Sequence, residues 1–291
     1  MKKIIVTGGA GFVGTNLIDF FLKKTKFKII SIDNYSSGSV KNHIKSKRIK
    51  YINSDTKNIE EILKKDVKSI HSLFHFGEFS RIYQSFIQMS ECIESNSIGT
   101  NAVFNFCLKN KIKLIYSATS ASLGNKGRDK NLSPYAFTKS KNLELLENLK
   151  KWFNFKFEII YFYNVYGPRQ ISKGKMATVI GIFENCYKKK IPLPVVKPGT
   201  QSRRFTHIYD TVNACFFAWK RNKCLHYSIT SKSSYSIIEV AKMFESKIKY
   251  LPERPGERFA SALTDMNLSN KVHRLYGDKK LKDYIQKIVK N

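Results

Sequence analysis

Acidic residues and cysteines are both scarce in this chain, and no hydrophobic run in it is long. Against 52 Lys and Arg stand only 22 Asp and Glu, a formal net charge of +30 over 291 residues. Such a balance attracts polyanions and raises RNA as a partner. The lysines are nonetheless scattered along the whole chain, with short runs only at 188–190 and 279–280 and no arginine-rich tail. That distribution reads as a solvated lysine surface and argues against nucleic acid, while the field it creates still favours an anionic small molecule. The cysteines, at 92, 107, 186, 215 and 224, form no C-x-x-C pair and show no His spacing suited to zinc. A disulfide framework and a metal site are therefore not expected, and reduced thiols of a cytoplasmic protein are. No stretch approaches the ~18 to 20 continuous apolar residues of a membrane span. The first strand begins almost at once, which leaves no room for a signal peptide. With 42% hydrophobic residues the chain can bury a large core.

What is present is concentrated at the start. An apolar run at 4–6 reads as a strand buried on both faces, followed by Gly8-Gly9-Ala10-Gly11-Phe12-Val13-Gly14 and then a stretch with Leu17, Ile18, Phe21 and Leu22 at helical spacing. Strand, glycine turn and helix together are the context of a dinucleotide site. Gly8 permits the tight turn, Gly11 lets backbone N–H groups approach a pyrophosphate, and Gly14 lets helix and strand pack closely. Phe12 and Val13 then open the helix, where unpaired N–H groups and the helix dipole favour an anion.

Further strands are expected at 28–33, 50–52, 70–76, 113–116 and 157–163, alternating with helical segments. This pattern predicts an α/β fold, a Rossmann doubly wound parallel sheet. Asp33, about 20 residues past the glycines, is placed to accept hydrogen bonds from the adenosine ribose, with Asn34 beside it. A 2′-phosphate would be repelled there, so NAD is favoured, although Lys41 and Arg48 keep NADP open. Beyond residue 168 five prolines (192, 194, 198, 252 and 255) break the periodicity. The expected organisation is an NAD-binding Rossmann domain over 1–167 and a smaller, mainly substrate-binding region over 168–291. The latter is interleaved with the sheet near 203–230, with a returning strand expected at 204–208.

Tyr135 and Lys139 lie four apart and so share one helix face. A free tyrosine is a poor base at neutral pH, and a nearby ammonium favours its phenolate. Thr119, at the end of the preceding strand, can hydrogen-bond the same substrate hydroxyl. The glycine spacing G-x-x-G-x-x-G in T-G-G-A-G-F-V-G, with the Thr119–Tyr135–Lys139 set, resembles the extended branch of the short-chain dehydrogenase/reductase superfamily. Within it the likeness is closest to the NAD-dependent nucleotide-sugar epimerases and dehydratases, and it spans almost the whole chain.

That resemblance implies further roles. Asp55, with Thr56 after it, stands where the family contacts adenine. Phe76-Gly77-Glu78 stands where the family has a small-residue segment lining the cofactor. Asn96 matches the Asn that braces the active-site strands. Asn164 in Y-F-Y-N-V-Y-G-P, Arg203 in S-R-R-F-T-H-I-Y-D and Arg254 in R-P-G-E-R match residues that hold a sugar diphosphate. The substrate implied is a nucleotide-diphosphate sugar, and the assembly implied is a homodimer through helices starting near Ser95 and Pro134. Family 4,6-dehydratases carry an Asp-Glu pair after the triad Ser/Thr, whereas Thr119 is followed by Ser120, Ala121 and Ser122. This departure favours an epimerase, foremost at C4 of a UDP-hexose. The stretch ending K-G-K-M-A resembles ADP-heptose 6-epimerases, in which the first lysine is assigned a catalytic role; here Lys173 is read as substrate-binding through a phosphate contact, with a second acid/base role as the alternative. A non-catalytic RNA-binding member of the superfamily is the rival of another class. The segment between Gly124 and Ser133 is shorter than in the family and predicts a more open site.

Overall fold

The computed structural model describes residues 2–120, 129–256 and 272–290. Its centre is a sheet of eight strands: β1 (Lys3–Thr7), β2 (Lys28–Asp33), β3 (Ile49–Asn53), β4 (Ile70–His75), β5 (Lys113–Thr119), β6 (Phe157–Phe162), β7 (His226–Thr230) and β8 (Val272–Tyr276). The order is β8-β7-β6-β5-β4-β1-β2-β3, and every pairing is parallel. Parallel strands require crossovers, and these crossovers cover both faces. Ile5 belongs to the core on one face, with Val103, Phe104 and Leu146, while Ile4 and Val6 belong to the core on the other, with Leu17, Phe21 and Val212. The apolar run at the start of the chain is thus a central strand whose alternate side chains feed two cores. The strand order reverses between β1 and β4, the place where open α/β sheets leave a crevice for ligands.

Two predicted features are revised. The sheet gains two strands beyond the six read from the alternation, and the strand that returns to it is β7, not 204–208. The segment Thr206–His207 instead pairs with Val165–Tyr166 off the main sheet. It stops after two residues because His207 caps the helix Ile208–Arg221, its Nδ1 accepting from the Tyr209 N–H at 3.2 Å. The buried run Tyr227-Ser228-Ile229-Thr230 is what reaches the sheet.

A third core lies apart from the sheet. Phe183, Leu193, Val195, Phe244, Leu281 and Ile285 pack together, and Leu193–Val196 pairs in parallel with Ile248–Leu251. Ser202–Arg203 forms a further two-residue ladder with Tyr235–Ser236.

The helix carrying Tyr135 and Lys139 runs Pro134–Phe153. Ser133 caps it, its hydroxyl accepting from the Ala136 N–H at 3.1 Å, and Pro134 occupies the first turn, where its missing N–H costs nothing. Charged side chains are rare in the interior: among the described residues Asp33, Asp129, Lys139 and Glu158 are buried, as is the side chain of Glu78. No helix among the described residues is long and apolar enough to cross a membrane. The first half of the short segment expected to open the site, up to residue 128, lies outside the described residues, as do Ala121 and Ser122.

Candidate active site

A cavity of about 1250 Å³ follows the C-terminal ends of β1 to β5 and continues over the segments that carry Asn164, Lys173 and Arg203. At one end the walls are backbone. Gly8 has φ +68°, and a Cβ there would come within 2.7 Å of the Phe76 carbonyl. A Cβ on Gly14 would stand 2.1 Å from the Gly8 oxygen, so helix and turn can meet only through glycine. The first helix, Phe12–Lys24, starts from Gly11 with no side-chain cap and no acidic residue in its first turn. Phe12 and Val13 line the cavity, and N–H groups of a first helical turn lack intrahelical acceptors. This uncapped, acid-free cradle fits a diphosphate.

Asp33 closes the turn from the side. Its Oδ2 accepts from the Ala10 N–H at 2.9 Å and its Oδ1 from the Tyr35 N–H at 2.8 Å. Burial pushes its pKa up, and backbone N–H groups of Tyr35, Ala10 and Gly11 act in the opposite direction. Each carboxylate oxygen keeps a lone pair for a ribose hydroxyl. Asn34 donates to Asp55 Oδ1 at 2.6 Å, joining the tips of β2 and β3, and Asp55 and Thr56 both face the cavity. Arg48 is spent elsewhere: its guanidinium donates to the Thr25 carbonyl at 2.6 Å and to that of Leu22, capping the end of the first helix. Phe76 and Gly77 reach the cavity with their N–H groups bound to Thr7 Oγ1, at 3.1 Å each.

Asn96 is placed differently from the other residues read as cofactor-binding. It is fully buried and does not line the cavity. Its Oδ1 accepts from the Phe79 N–H at 2.7 Å, and its Nδ2 donates to the Phe79 carbonyl at 3.1 Å and Thr138 Oγ1 at 3.2 Å. It clamps the segment after β4 to the long helix.

Thr119 ends β5, Tyr135 opens the long helix, Lys139 follows one turn later, and all three line the cavity. Lys139 is 4% exposed; its ammonium donates to the Ser117 carbonyl, forms an ion pair with Glu78 and lies 4.5 Å from the Tyr116 ring centroid. Burial lowers its pKa and Glu78 opposes that shift.

Glu78 is the residue that pattern reading passed over. Its side chain is 3% exposed. Its Oε1 accepts from Thr100 Oγ1 at 3.0 Å, Tyr116 OH at 3.0 Å and Asn142 Nδ2 at 3.2 Å, while Oε2 receives Lys139. These contacts fix proton positions further back. Thr100 gives its one proton to Glu78, so it must accept from His75 Nε2 at 3.0 Å. His75 Nδ1, then unprotonated, accepts from the Thr7 hydroxyl at 2.7 Å. The ring is neutral in this scheme, and burial accordingly lowers its pKa to about 4. The one sequence signal for this network is an acid directly after His-Phe-Gly, where the resembled family has small residues.

The other end of the cavity is built from longer side chains. Asn164, at φ +33°, donates to the Arg204 carbonyl at 2.9 Å. Arg203 donates to the Ser202 carbonyl at 2.8 Å, Arg254 stacks over the Tyr83 ring at 5.0 Å, and Lys173 is exposed at the rim. All four line the cavity. So does Arg81, a second residue the motifs did not reveal, whose Nε and Nη2 donate to the Met176 carbonyl at 3.0 and 2.6 Å and tie down the loop after Lys173. Among the described residues no cluster of His, Cys, Asp or Glu could hold a metal ion.

Comparison with known proteins adds to this geometry. The model of the NAD dependent epimerase/dehydratase family matches residues 4–229. The ADP-L-glycero-D-manno-heptose-6-epimerase of Brachyspira hyodysenteriae is 28% identical, over 84% of this chain and 81% of that protein. A UDP-N-acetylglucosamine 4-epimerase of Methanobrevibacter ruminantium, solved with UDP-N-acetylmuramic acid, superposes with a TM-score of 0.85 at 25% identity, over 99% of this chain and 97% of that one. The UDP-glucose 4-epimerase of Thermotoga maritima, solved with UDP-glucose, gives 0.86 at 21% identity over 99% and 97%, which is a likeness of fold.

Proposed function

The chain belongs to the NAD dependent epimerase/dehydratase family, and on that premise we propose that it is a nucleotide-sugar epimerase that inverts C4 of a UDP-hexose through a transient 4-keto sugar. The carrying observation is that one cavity holds the glycine turn, Thr119, Tyr135 and Lys139, and the cationic side chains Arg203 and Arg254. Gly8, Gly11, Phe12, Val13, Gly14 and Asp33 hold NAD, with Asn34, Asp55, Thr56, Phe76 and Gly77 completing the wall. Bound NAD supplies the acceptor, and afterwards the donor, of the hydride. Thr119 orients the sugar hydroxyl, Tyr135 takes its proton and later returns it, and Lys139 favours the phenolate. Asn164, Arg203 and Arg254 hold the diphosphate while the sugar presents its other face; a guanidinium fork matches phosphate oxygens. Elimination of water needs a free acid or base, and Glu78 is saturated by its four donors.

A second reading moves the chemistry to C6 of an ADP-heptose. It is favoured by the relative in Brachyspira and by Lys173 at the cavity rim, where it would be a second acid or base. A homodimer is supported by Phe86, Ile87, Met89 and Phe137, which are exposed on neighbouring helices, and light scattering of the purified protein tests it. Five free cysteines support a reducing, cytoplasmic setting.

A product assay decides between these readings, run with UDP-glucose, UDP-N-acetylglucosamine, UDP-glucuronate and ADP-heptose. The expected result is interconversion of one C4 epimer pair, lowered by roughly 10³-fold in Tyr135→Phe. Turnover of the heptose alone overturns the C4 reading. Silence with all four, with NAD bound, removes these sugars and reopens an RNA-binding role.

A further inference from the structure

We propose that Glu78 is a positioning residue: it is the buried counter-ion that keeps the Lys139 ammonium charged and fixed beside Tyr135, and so sets the pH range in which Tyr135 exchanges a proton with a sugar hydroxyl. The inference rests on the catalytic reading of Tyr135 given above. Three elements converge on this one carboxylate: Tyr116 from β5, Thr100 from the helix Thr100–Lys109, and Asn142 and Lys139 from the long helix. Every one of them donates to it, and Thr100 is held as a donor by the chain that runs back through His75 to Thr7. Three donors thus meet Oε1 of Glu78, and Oε2 meets the Lys139 ammonium.

The other titratable or charged groups facing this pair do not replace it. They are His75 from β4, Arg81 after it, Cys92 from the helix Met89–Ile93, Tyr116 from β5, and Tyr135 itself. Burial holds His75 neutral, with a pKa of about 4, pushes the Cys92 thiol up to about 11, and raises the Tyr116 phenol well above its ordinary range. Glu78 is the one carboxylate among them. A buried ammonium without a counter-ion sheds its proton. An amide in place of Glu78 would keep the shape and the three acceptor contacts while turning an N–H towards Lys139. The field that favours the Tyr135 phenolate would then vanish.

The test compares wild type, Glu78→Gln and Glu78→Asp, each loaded with NAD. The Tyr135 phenolate is read by ultraviolet titration as the difference from the same protein carrying Tyr135→Phe, and kcat is followed against pH. In Glu78→Gln the phenol titration and the acid limb of kcat are expected to move together to higher pH, by about one unit or more. Glu78→Asp, which keeps the charge, should hold the wild-type position even where kcat falls. In a Lys139→Met background, Glu78→Gln should add no further displacement. An unmoved titration in Glu78→Gln, a move to lower pH, or an added displacement beside Lys139→Met overturns the proposal. Should Glu78→Gln not fold, a displaced titration in Glu78→Asp overturns it and an unmoved one supports it. The optical titration needs no sugar. A protein that turns over none of them, yet shows the displaced phenol, loses the epimerase reading and keeps the counter-ion.

Discussion

The two ends of the cavity are made of different material. The end assigned to NAD is formed by backbone and short side chains: a glycine turn, the tips of four parallel strands, and a carboxylate fastened by two N–H groups. The end assigned to the sugar diphosphate is formed by arginines, a lysine and an asparagine on connecting segments, with Asn164 and Arg203 each donating to a nearby carbonyl. Backbone walls admit almost no substitution, whereas long cationic side chains can be exchanged or moved without disturbing a core. A chain of this kind can therefore keep its cofactor while its sugar changes.

The contrast breaks most visibly at Gly14. A methyl group 2.1 Å from the Gly8 oxygen cannot be absorbed by a side-chain rotation, so Gly14→Ala should lower NAD affinity by roughly 100-fold, the order expected for a misplaced contact. Calorimetric titration with NAD measures this, and affinity within a few-fold of wild type would show the turn to be softer than its geometry.

Next comes a pair of buried histidines, His75 at the end of β4 and His207 at the cap of the helix Ile208–Arg221, both with pKa lowered by burial to about 4. Above about pH 6.5 each is neutral folded and unfolded, and contributes no pH dependence. As pH falls from about 6.5 to about 4, the unfolded chain takes up a proton that the folded chain refuses, and stability is lost across that window. For His75, wholly buried, the loss reaches the order of 3 kcal/mol; for His207, 7% exposed, it is smaller. Urea unfolding at pH 7 and pH 5 measures the slope, which should flatten more in His75→Gln than in His207→Gln. Equal flattening would erase this difference between the two histidines.

Arg203→Ala should have the smallest effect. UDP affinity is expected to fall about 10-fold at low salt, with less difference at high salt and no change in melting temperature. A drop in melting temperature would mean that Arg203 supports the fold as well as facing the ligand.

The same difference governs what could be read from the chain. Ile4, Ile5, Val6 and the three glycines obey rules of period and turn geometry that act over a dozen residues, and the second strand falls at 28–33 as its pattern predicts. The strand expected at 204–208 failed because pairing over two residues and the helix cap at His207 are tertiary outcomes. Glu78 and Arg81 carry no period at all. Their importance appears only when Thr100, Tyr116 and Asn142, far apart in the chain, meet around one carboxylate, and when Met176 comes within reach of Arg81. Asn96 shows the reverse case, a motif residue whose side chain is consumed in holding Phe79.

The few buried charges have a colloidal consequence. Among the described residues Asp33, Glu78, Asp129 and Glu158 outnumber Lys139 in the interior, so that interior holds none of the +30 excess. Two copies approaching one another repel over a range set by the Debye length, about 30 Å at 0.01 M salt and about 10 Å at 0.1 M. Ionic strength thus acts on this molecule in opposite senses: added salt eases the meeting of copies and weakens the pull on a diphosphate.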